Sequence, residues 1–445
     1  MTVERSVGGT VVIGSGASGV LTAVRLAAQA DGPVTVVESA PTVGRGVAYS
    51  TTDYGHLLNS RTETMSLYPD RPGHFLEWCR EHGLYCGPAG YAPRATYGRY
   101  LAEALENTVR RSGGRVRVVR GRAVAVEDAG SVRVVRLADG GALSASDVVL
   151  ALGHPPTRTA DIDPWCPGAL DRIDPSDDVV LLGTGLTAVD VLVTLAGRGH
   201  TGQLVAISRH GLLPRIHVDP PPRPVPPKVS GHTSRELLGQ IRHAVDLHAR
   251  TGGDWRGVVD GLRPDVDRLW TGLPVTEQDR FLRHLSRLWE IHRHRMAPVI
   301  GAQLRRLTIE GRLRVVAGSI SRVESTPHGA TVTWTPRGTG RPVPLTADAV
   351  VDCRGPGAWV GHPDPLARQL AADGLTSPDA HRIGFATTDD GQLIGADGEP
   401  VPGLWTLGPL RRGSRYETTA IPEIRAQAVT IADRISARSA LPIAG

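Results

Sequence analysis

Gly14-Ser-Gly-Ala-Ser-Gly19 follows the β-branched run Thr10-Val-Val-Ile13 directly, and Glu38 closes the next such run, 19 residues beyond Gly19. This spacing suits a phosphate cradle. Gly14 and Gly16 permit a tight turn and let bare backbone approach a pyrophosphate, Ser15, Ala17 and Ser18 complete the turn, and Gly19 allows the next helix to pack on the strand. The start of that helix carries about half a positive charge toward the phosphates. Glu38 stands where an acid should accept both hydroxyls of an adenosine ribose.

A second turn, Gly183-Thr184-Gly185-Leu186-Thr187-Ala188, repeats the plan after Val179–Leu182, with alanine in place of the third glycine. Its second strand ends in Ser208-Arg209-His210 rather than in an acid. Arg209 can pair with a 2′-phosphate, so the spacing favours NADPH over NADH here and leaves FAD to the first turn. A third signal runs from Gly408-Pro409 to Glu417-Thr-Thr-Ala-Ile-Pro-Glu423. Thr419 is placed to cap a helix that starts through Ala420 and Ile421, with proline in its first turn. Aimed at a flavin's pyrimidine edge, that N-terminus would stabilise negative charge on the reduced ring; an ordinary capped helix is the other reading.

The cluster His292-Arg293-His294-Arg295, with His217, supplies the remaining candidates. His-x-His suits a metal or a solvated basic face, but no carboxylate or cysteine lies at useful spacing, so no metal is expected. Arg293 and Arg295 can serve as clamps for phosphate or carboxylate, or can belong to a solvated helix face. They are entered with His217 as candidate catalytic residues.

These groups need strands and helices to hold them. Arg115 to Val119, Ala123 to Val126 and Val132 to Leu137 read as short strands, and Ala145 to Gly153 as an apolar strand ending on glycine; Gly153 joins the cofactor-binding candidates. Leu313 to Val316, Ile320 to Val323 and Ala330 to Trp334 form a second set, closed by Asp348 to Gly355. Two copies of one supersecondary plan predict an α/β fold of two Rossmann-like dinucleotide-binding domains, one for FAD and one for NADPH. The expected division is 1–175 for the first part of the FAD domain, 176–354 for the NADPH domain, and 355–445 for the second part of the FAD domain.

A helical segment is inserted at about 220–310. It is entered through the proline-dense connector Asp219 to Pro227 and broken at Thr251-Gly-Gly253 and Thr271-Gly272. Both nucleotide units are complete without it, yet it carries Trp255, Trp270, Trp289 and the basic cluster, so it is expected to build the substrate pocket.

With 445 residues the chain exceeds the size at which one core stops growing. No apolar run approaches the ~20 residues of a membrane span, and no signal-peptide pattern opens the chain, so a soluble cytoplasmic protein is expected. The net charge of +5 does not point to nucleic acid. Lys228 is the only lysine, and the arginines are scattered rather than gathered into a stripe with stacking aromatics. Cys79, Cys86, Cys166 and Cys353 have no CxxC spacing, which removes a flavin–disulfide reductase.

Gly14 to Gly19, Gly44-Arg-Gly-Val-Ala-Tyr-Ser-Thr51, His56-Leu-Leu-Asn59 and Pro93-Arg-Ala-Thr-Tyr-Gly-Arg-Tyr100 resemble the bacterial FAD/NAD(P)-binding oxidoreductases. Gly183 to Asp190, Ser208 to His217, Trp289 to Arg295 and Gly408 to Arg425 extend the likeness over nearly the whole chain. Members of that family with assigned chemistry include nitrosuccinate synthases, which resemble flavin N-monooxygenases. The resemblance implies FAD and NADPH on the two turns, Asn59 among the cofactor-binding residues, and the 408–425 segment against the isoalloxazine. It also implies a monooxygenase that hydroxylates an amine nitrogen of a small amino-acid-like metabolite with molecular oxygen, through a C4a-hydroperoxyflavin. The FxGxxxHxxxW pattern of class B flavin monooxygenases is absent: no phenylalanine stands two residues before Gly168, and Arg172 takes the histidine's place. Baeyer–Villiger oxidation, a flavin dehydrogenase without oxygenase activity and a non-catalytic dinucleotide-binding protein are the alternatives. Substrate identity and oligomeric state are not readable.

Overall fold

The computed structural model describes residues 9–155, 162–355 and 357–439; the ends of the expected first and last segments, 1–8 and 440–445, lie outside them, as does Pro356. The first sheet has six strands in the spatial order Gln392–Ile394, Pro400–Thr406, Asp147–Leu150, Thr10–Ile13, Val34–Glu38 and Val116–Arg120. All neighbours are parallel except the Gln392–Ile394 edge. Thr10–Ile13, Val34–Glu38 and Asp147–Leu150 are buried along their whole length, which explains their unbroken β-branched sequences: a parallel strand covered on both faces has no polar side to show. Helix Ala17–Gln29 buries Val20, Leu21 and Leu26 and packs on helices Arg94–Arg111 and Ile421–Ser439. The chain's last third thereby completes the layer that its beginning started.

The second sheet runs Val343–Ala347, Gly329–Pro336, Leu313–Thr326, Leu204–Ser208, Val179–Leu182, Ala349–Asp352. Its last four strands are parallel and its first two extend it antiparallel. The two strands expected at Leu313 to Val316 and Ile320 to Val323 are one, Leu313–Thr326. It pairs in the parallel sheet through Ala317 and in an antiparallel hairpin from Gly318 onward, with a bulge between Ile320 and Arg322 inside the hairpin. The strand expected from Ala145 splits the opposite way. Ala142–Ala145 closes a three-stranded antiparallel meander with Ala123–Asp128 and Arg133–Leu137, whereas Asp147–Leu150 turns into the main sheet.

Between Leu204–Ser208 and Leu313–Thr326 lie helices Ser234–Arg250, Trp255–Gly261, Val266–Thr271, Val275–His284, Ser286–Arg293 and Pro298–Ile309. Thr233 and Glu236 form a reciprocal capping box on the first, and the Asp254 carboxylate caps the second by accepting from Arg256 N at 2.8 Å. The proline-dense connector lies directly along Trp255–Gly261. Val225 N donates to Gly257 O at 2.9 Å, and a side chain at Gly257 or Gly261 would strike the carbonyls of Arg223 or Val225. Helix Pro298–Ile309 instead packs on Leu186–Gly197 and belongs with the second sheet. Among the described residues no helix is long and apolar enough to cross a membrane.

Candidate functional site

The first glycine turn has the form a pyrophosphate requires. Gly14 has φ +101°, and a Cβ there would lie 2.5 Å from Ala151 O; a Cβ on Gly19 would collide with Gly14 O. Gly16 differs. Its φ of −65° suits any residue, and an added Cβ would touch only Gly46 Cα, at 3.5 Å. Gly16 therefore keeps a surface clear rather than relieving strain. No side chain caps helix Ala17–Gln29, in contrast to the helices capped by Thr233, Asp254 and Asp364, so its N-terminal amides suit an anion.

Glu38 is more committed than its position in sequence suggests. Its Oε2 accepts from Ser15 N at 2.8 Å and Ser15 Oγ at 2.6 Å, and its Oε1 accepts from Ala40 N at 2.7 Å. Of the carboxylate's roughly four lone-pair sites, three are taken, which leaves Oε1 room for one ribose hydroxyl and not for both. Ser15 Oγ also accepts from Gly44 N at 2.9 Å, tying the 40–46 loop to the turn.

The second turn is its counterpart. Gly183 has φ +117°, its Cβ direction is blocked by Cys353 O, and Gly185 has open space before it. Helix Leu186–Gly197 is likewise uncapped by any side chain, and Thr187 lies half-buried in its first turn. Thr184 Oγ1 donates to Leu212 O at 2.7 Å and shares a 2.8 Å hydrogen bond with Ser208 Oγ. Arg287, from the inserted helices, donates from Nη2 to Thr184 O at 2.9 Å. Arg209 is exposed at the end of Leu204–Ser208. Burial, then Arg337, Arg209 and Arg287, hold His210 below the usual imidazole range, so the end of this strand is electropositive.

The third segment is pinned to both neighbours. Gly408 has φ +73°, and a Cβ there would lie 2.7 Å from Ser18 Oγ of the first turn. Gly408 N donates to Gln427 Oε1 at 2.9 Å, Thr418 Oγ1 donates to Gly408 O at 2.9 Å, and Gln427 Nε2 donates to Thr418 Oγ1 at 2.7 Å. Pro409 follows in a single 3-10 turn, Gly408–Arg411. Thr419 is not the N-cap: Ala420 precedes helix Ile421–Ser439, its carbonyl accepting from Ile424 N, and Thr419 is exposed one residue earlier. Alanine has no acceptor to offer, so a third helix start is left without a side-chain cap from that position. Gly153, φ +68°, accepts from Trp359 Nε1 at 2.9 Å.

The basic cluster is not a solvated face. Arg295 is 2% exposed, paired through Nη2 with Asp260 and lying 5.7 Å from the centre of the Trp255 ring; its Nε and Nη1 are buried without hydrogen-bond partners. Arg293 stands 3.7 Å from Glu417, whose Oε1 accepts from Trp289 Nε1 at 2.8 Å. Burial would raise the Glu417 carboxyl, but His294, Arg293, the Trp289 hydrogen bond and Arg263 hold it below the usual carboxylate range. His217 donates from Nε2 to Asn59 O at 3.0 Å and packs its ring 5.0 Å from that of Tyr91, whose hydroxyl is also buried without a partner.

Burial, and then Arg295, push His217 down to about 4 against the Asn59 hydrogen bond. His217 is accordingly expected to stay neutral through pH 5, with Nδ1 as its proton acceptor. Because its folded value lies below the free one, its contribution to stability is whole above about pH 6.5 and declines as the pH falls toward 4. A titration of its imidazole resonances by NMR checks this; protonation near pH 6.5 would contradict it.

The two sheets meet across a polar seam. Arg94 pairs with Asp190 at 2.5 Å with both side chains largely buried, Thr194 Oγ1 donates to Asp53 at 2.6 Å, and His56 Nε2 lies 2.8 Å from Thr194 Oγ1. Burial raises the Asp190 carboxyl despite Arg94 and His56.

The inserted helices line a half-open cavity of about 840 Å³. Trp255, Trp270 and Trp289 all line it, as does Tyr416 from the 408–425 segment. Arg293, Arg295 and His217 do not. Leu285, Leu288, Trp289 and His292 face the cavity at helical spacing from Ser286–Arg293 and its N-cap, while Arg287 on the same helix reaches the second glycine turn. Trp270 Nε1 donates to Gly413 O at 2.9 Å, and its ring meets Phe281 edge-on and Tyr416 at a tilt. Gly46, Arg287, Tyr416, Thr418 and Gln427 are the site residues that sequence reasoning left without a role; only Gly46, Tyr416 and Thr418 gave a signal, as members of motifs.

Residues 11–155 match a family model described as FAD-NAD(P)-binding. An L-aspartate N-monooxygenase (nitrosuccinate-forming) of Streptomyces davaonensis is 31% identical over 175 residues, 33% of this chain. The match spans only 27% of that relative's length. Over nearly the whole length the chain superposes on solved structures. For L-lysine 6-monooxygenase from Pseudomonas syringae the TM-score is 0.68 at 18% identity, covering 98% of this chain and 100% of that one. For the reduced ornithine hydroxylase from Pseudomonas aeruginosa it is 0.66 at 15% identity, covering 97% and 100%. Residues 11–155 thus carry an FAD-NAD(P)-binding module, set in a chain that has the fold of the ornithine and lysine hydroxylases.

Proposed function

We propose that the chain is an FAD- and NADPH-dependent monooxygenase of the cytoplasm that hydroxylates the nitrogen of a small amine or amino-acid-like metabolite. The observation that carries this reading is the pair of uncapped glycine-turn helices, one per sheet, within the fold of two amine hydroxylases. The net reaction balances as amine, dioxygen, NADPH and a proton giving hydroxylamine, NADP⁺ and water. One oxygen atom forms the N–O bond, the other leaves as water, and NADPH supplies both electrons. Bound FAD would pass those electrons to dioxygen.

The chain's own residues position and insulate the exchange. Gly14 to Gly19, with Glu38, would hold the FAD pyrophosphate and ribose; Gly183 to Thr187, Ser208 and Arg209 would hold NADPH. The Thr418–Gln427 hydrogen bonds keep Gly408 against the first turn, and the 408–421 segment, Asn59 and Gly153 would complete the surroundings of the flavin ring. Arg295, its Nε and Nη1 unpartnered behind Trp255, and Arg293, near Glu417, would supply positive charge outside the cavity, and neutral His217 would offer Nδ1 to a departing proton. We divide the chain at 175 and 354, a reading that the separation of the strands into two main sheets supports.

Purified yellow protein supplied with NADPH, air and a panel of amines tests the proposal. The expected product is the amine plus one oxygen atom by mass spectrometry, with NADPH consumed in proportion. NADPH consumption that yields only hydrogen peroxide across the panel would overturn it.

A further inference from the structure

The cavity among the inserted helices is chemically unlike a site for a small polar amino acid. Its walls are Leu237, Ile241, Val259, Leu269, Phe281 and Leu288 beside the three tryptophans. Most polar groups in the lining are already engaged, the Tyr416 hydroxyl being buried without a hydrogen-bond partner. Arg256 donates to Ile216 O and pairs with Asp254; Ser234 is held by Glu277; His292 donates from Nδ1 to Leu288 O and packs its ring edge-on against Trp255. The other charged lining residues, Arg215, Arg242 and Asp246, are exposed at the rim.

A zwitterion or diamine placed inside would lose its hydration and find too few partners for its several polar groups, the Tyr416 hydroxyl serving one at most, at a cost of several kcal/mol for each group left unpaired. An apolar group would gain in proportion to its buried area. The volume lies in the range that holds a drug-sized ligand rather than a single small side chain. Helix Ser234–Arg250 points Leu238, Ile241 and Val245 at this space, and all three are only half-buried, which leaves apolar surface for a ligand to cover.

We propose that the cavity takes the apolar part of the substrate, so that the substrate is an amine borne on a large aliphatic or aromatic group. This rests on the amine-hydroxylation reading for the fate of the nitrogen, and on the cavity alone for the class of group attached to it. Tyr416 and Trp289 form the wall the cavity shares with the 408–425 segment and Glu417, so a molecule seated there has one end at the proposed flavin side.

The test uses the flavin-loaded protein in its oxidised state, titrated with straight-chain primary amines from butylamine to dodecylamine and with ornithine and aspartate. Binding is read by calorimetry and by tryptophan fluorescence, and turnover by hydroxylamine formed. Affinity should rise about fourfold per added methylene until the cavity is full. Leu238→Trp and, separately, Val245→Trp should flatten that rise for the longer amines, with circular dichroism and melting temperature reporting that each variant is folded. Binding indifferent to chain length, or folded variants that both bind dodecylamine as the parent does, would overturn the proposal. Chain-length-dependent binding without hydroxylamine keeps the apolar cavity and removes the monooxygenase reading. Hydroxylamine from ornithine or aspartate with no chain-length effect removes the cavity's role and leaves that reading standing.

Discussion

Gly16→Val protein should purify folded and colourless. The fold has no need of glycine at this position: the backbone lies in an ordinary region, and a Cβ would meet only Gly46 Cα at van der Waals distance. A pyrophosphate does need it, because the valine methyls would stand where phosphate oxygens approach the uncapped amides of helix Ala17–Gln29. The expected loss of FAD affinity is at least a hundredfold, or about 2.7 kcal/mol. Flavin absorbance per protein measures it, and circular dichroism confirms the fold. A yellow Gly16→Val protein with full flavin content would place the cofactor elsewhere. The same substitution at Gly14 or Gly19 would be uninformative, since blocked Cβ positions there threaten the fold itself.

Arg209→Ala should abolish most of a preference for NADPH over NADH. A charge-assisted hydrogen bond is worth about 1.5–3 kcal/mol, or roughly ten- to a hundredfold in binding. Arg209 is exposed and shares its neighbourhood with Arg287 and Arg337, so the smaller figure is expected. Rates of flavin reduction at varied NADPH and NADH should show KM for NADPH rising about tenfold while that for NADH hardly moves. Arg287→Ala is a poorer probe, because it also removes the hydrogen bond to Thr184 O. An unchanged ratio after Arg209→Ala would assign the 2′-phosphate to other residues.

Both glycine turns were readable because everything that defines them is local: a buried strand, three small residues and a helix within about 30 positions. What escaped is non-local or geometric. Arg287 reaches Thr184 across 103 positions, and Gln427 reaches Gly408 across 19, so neither leaves a local pattern. The strand Leu313–Thr326 read as two because Ala317-Gly-Ser319 interrupts the apolar run, whereas the chain only changes partners there, from parallel to antiparallel. Thr419 was a sound cap by residue type, and the chain starts the helix one residue too late to use it. The basic cluster misled by composition. Four charged or ionisable residues in a row look solvated, but Asp260 and Glu417, distant in sequence, draw Arg295 and Arg293 inward.

The seam between the sheets bears on how a nicotinamide could come and go. Swinging one nucleotide domain about the other would part Arg94 from Asp190, where both are largely shielded from water, and would strip Thr194 from Asp53. Opening would return both charges to water, and their rehydration offsets much of the lost attraction, so the seam resists parting as a set of hydrogen-bonded groups rather than through one ion pair. Traffic at the second turn therefore falls to smaller parts, the exposed Arg209 side chain and the loop behind it, while the two sheets keep a fixed mutual orientation. The protein is latched across its waist, and cofactor exchange is expected to proceed without a hinge.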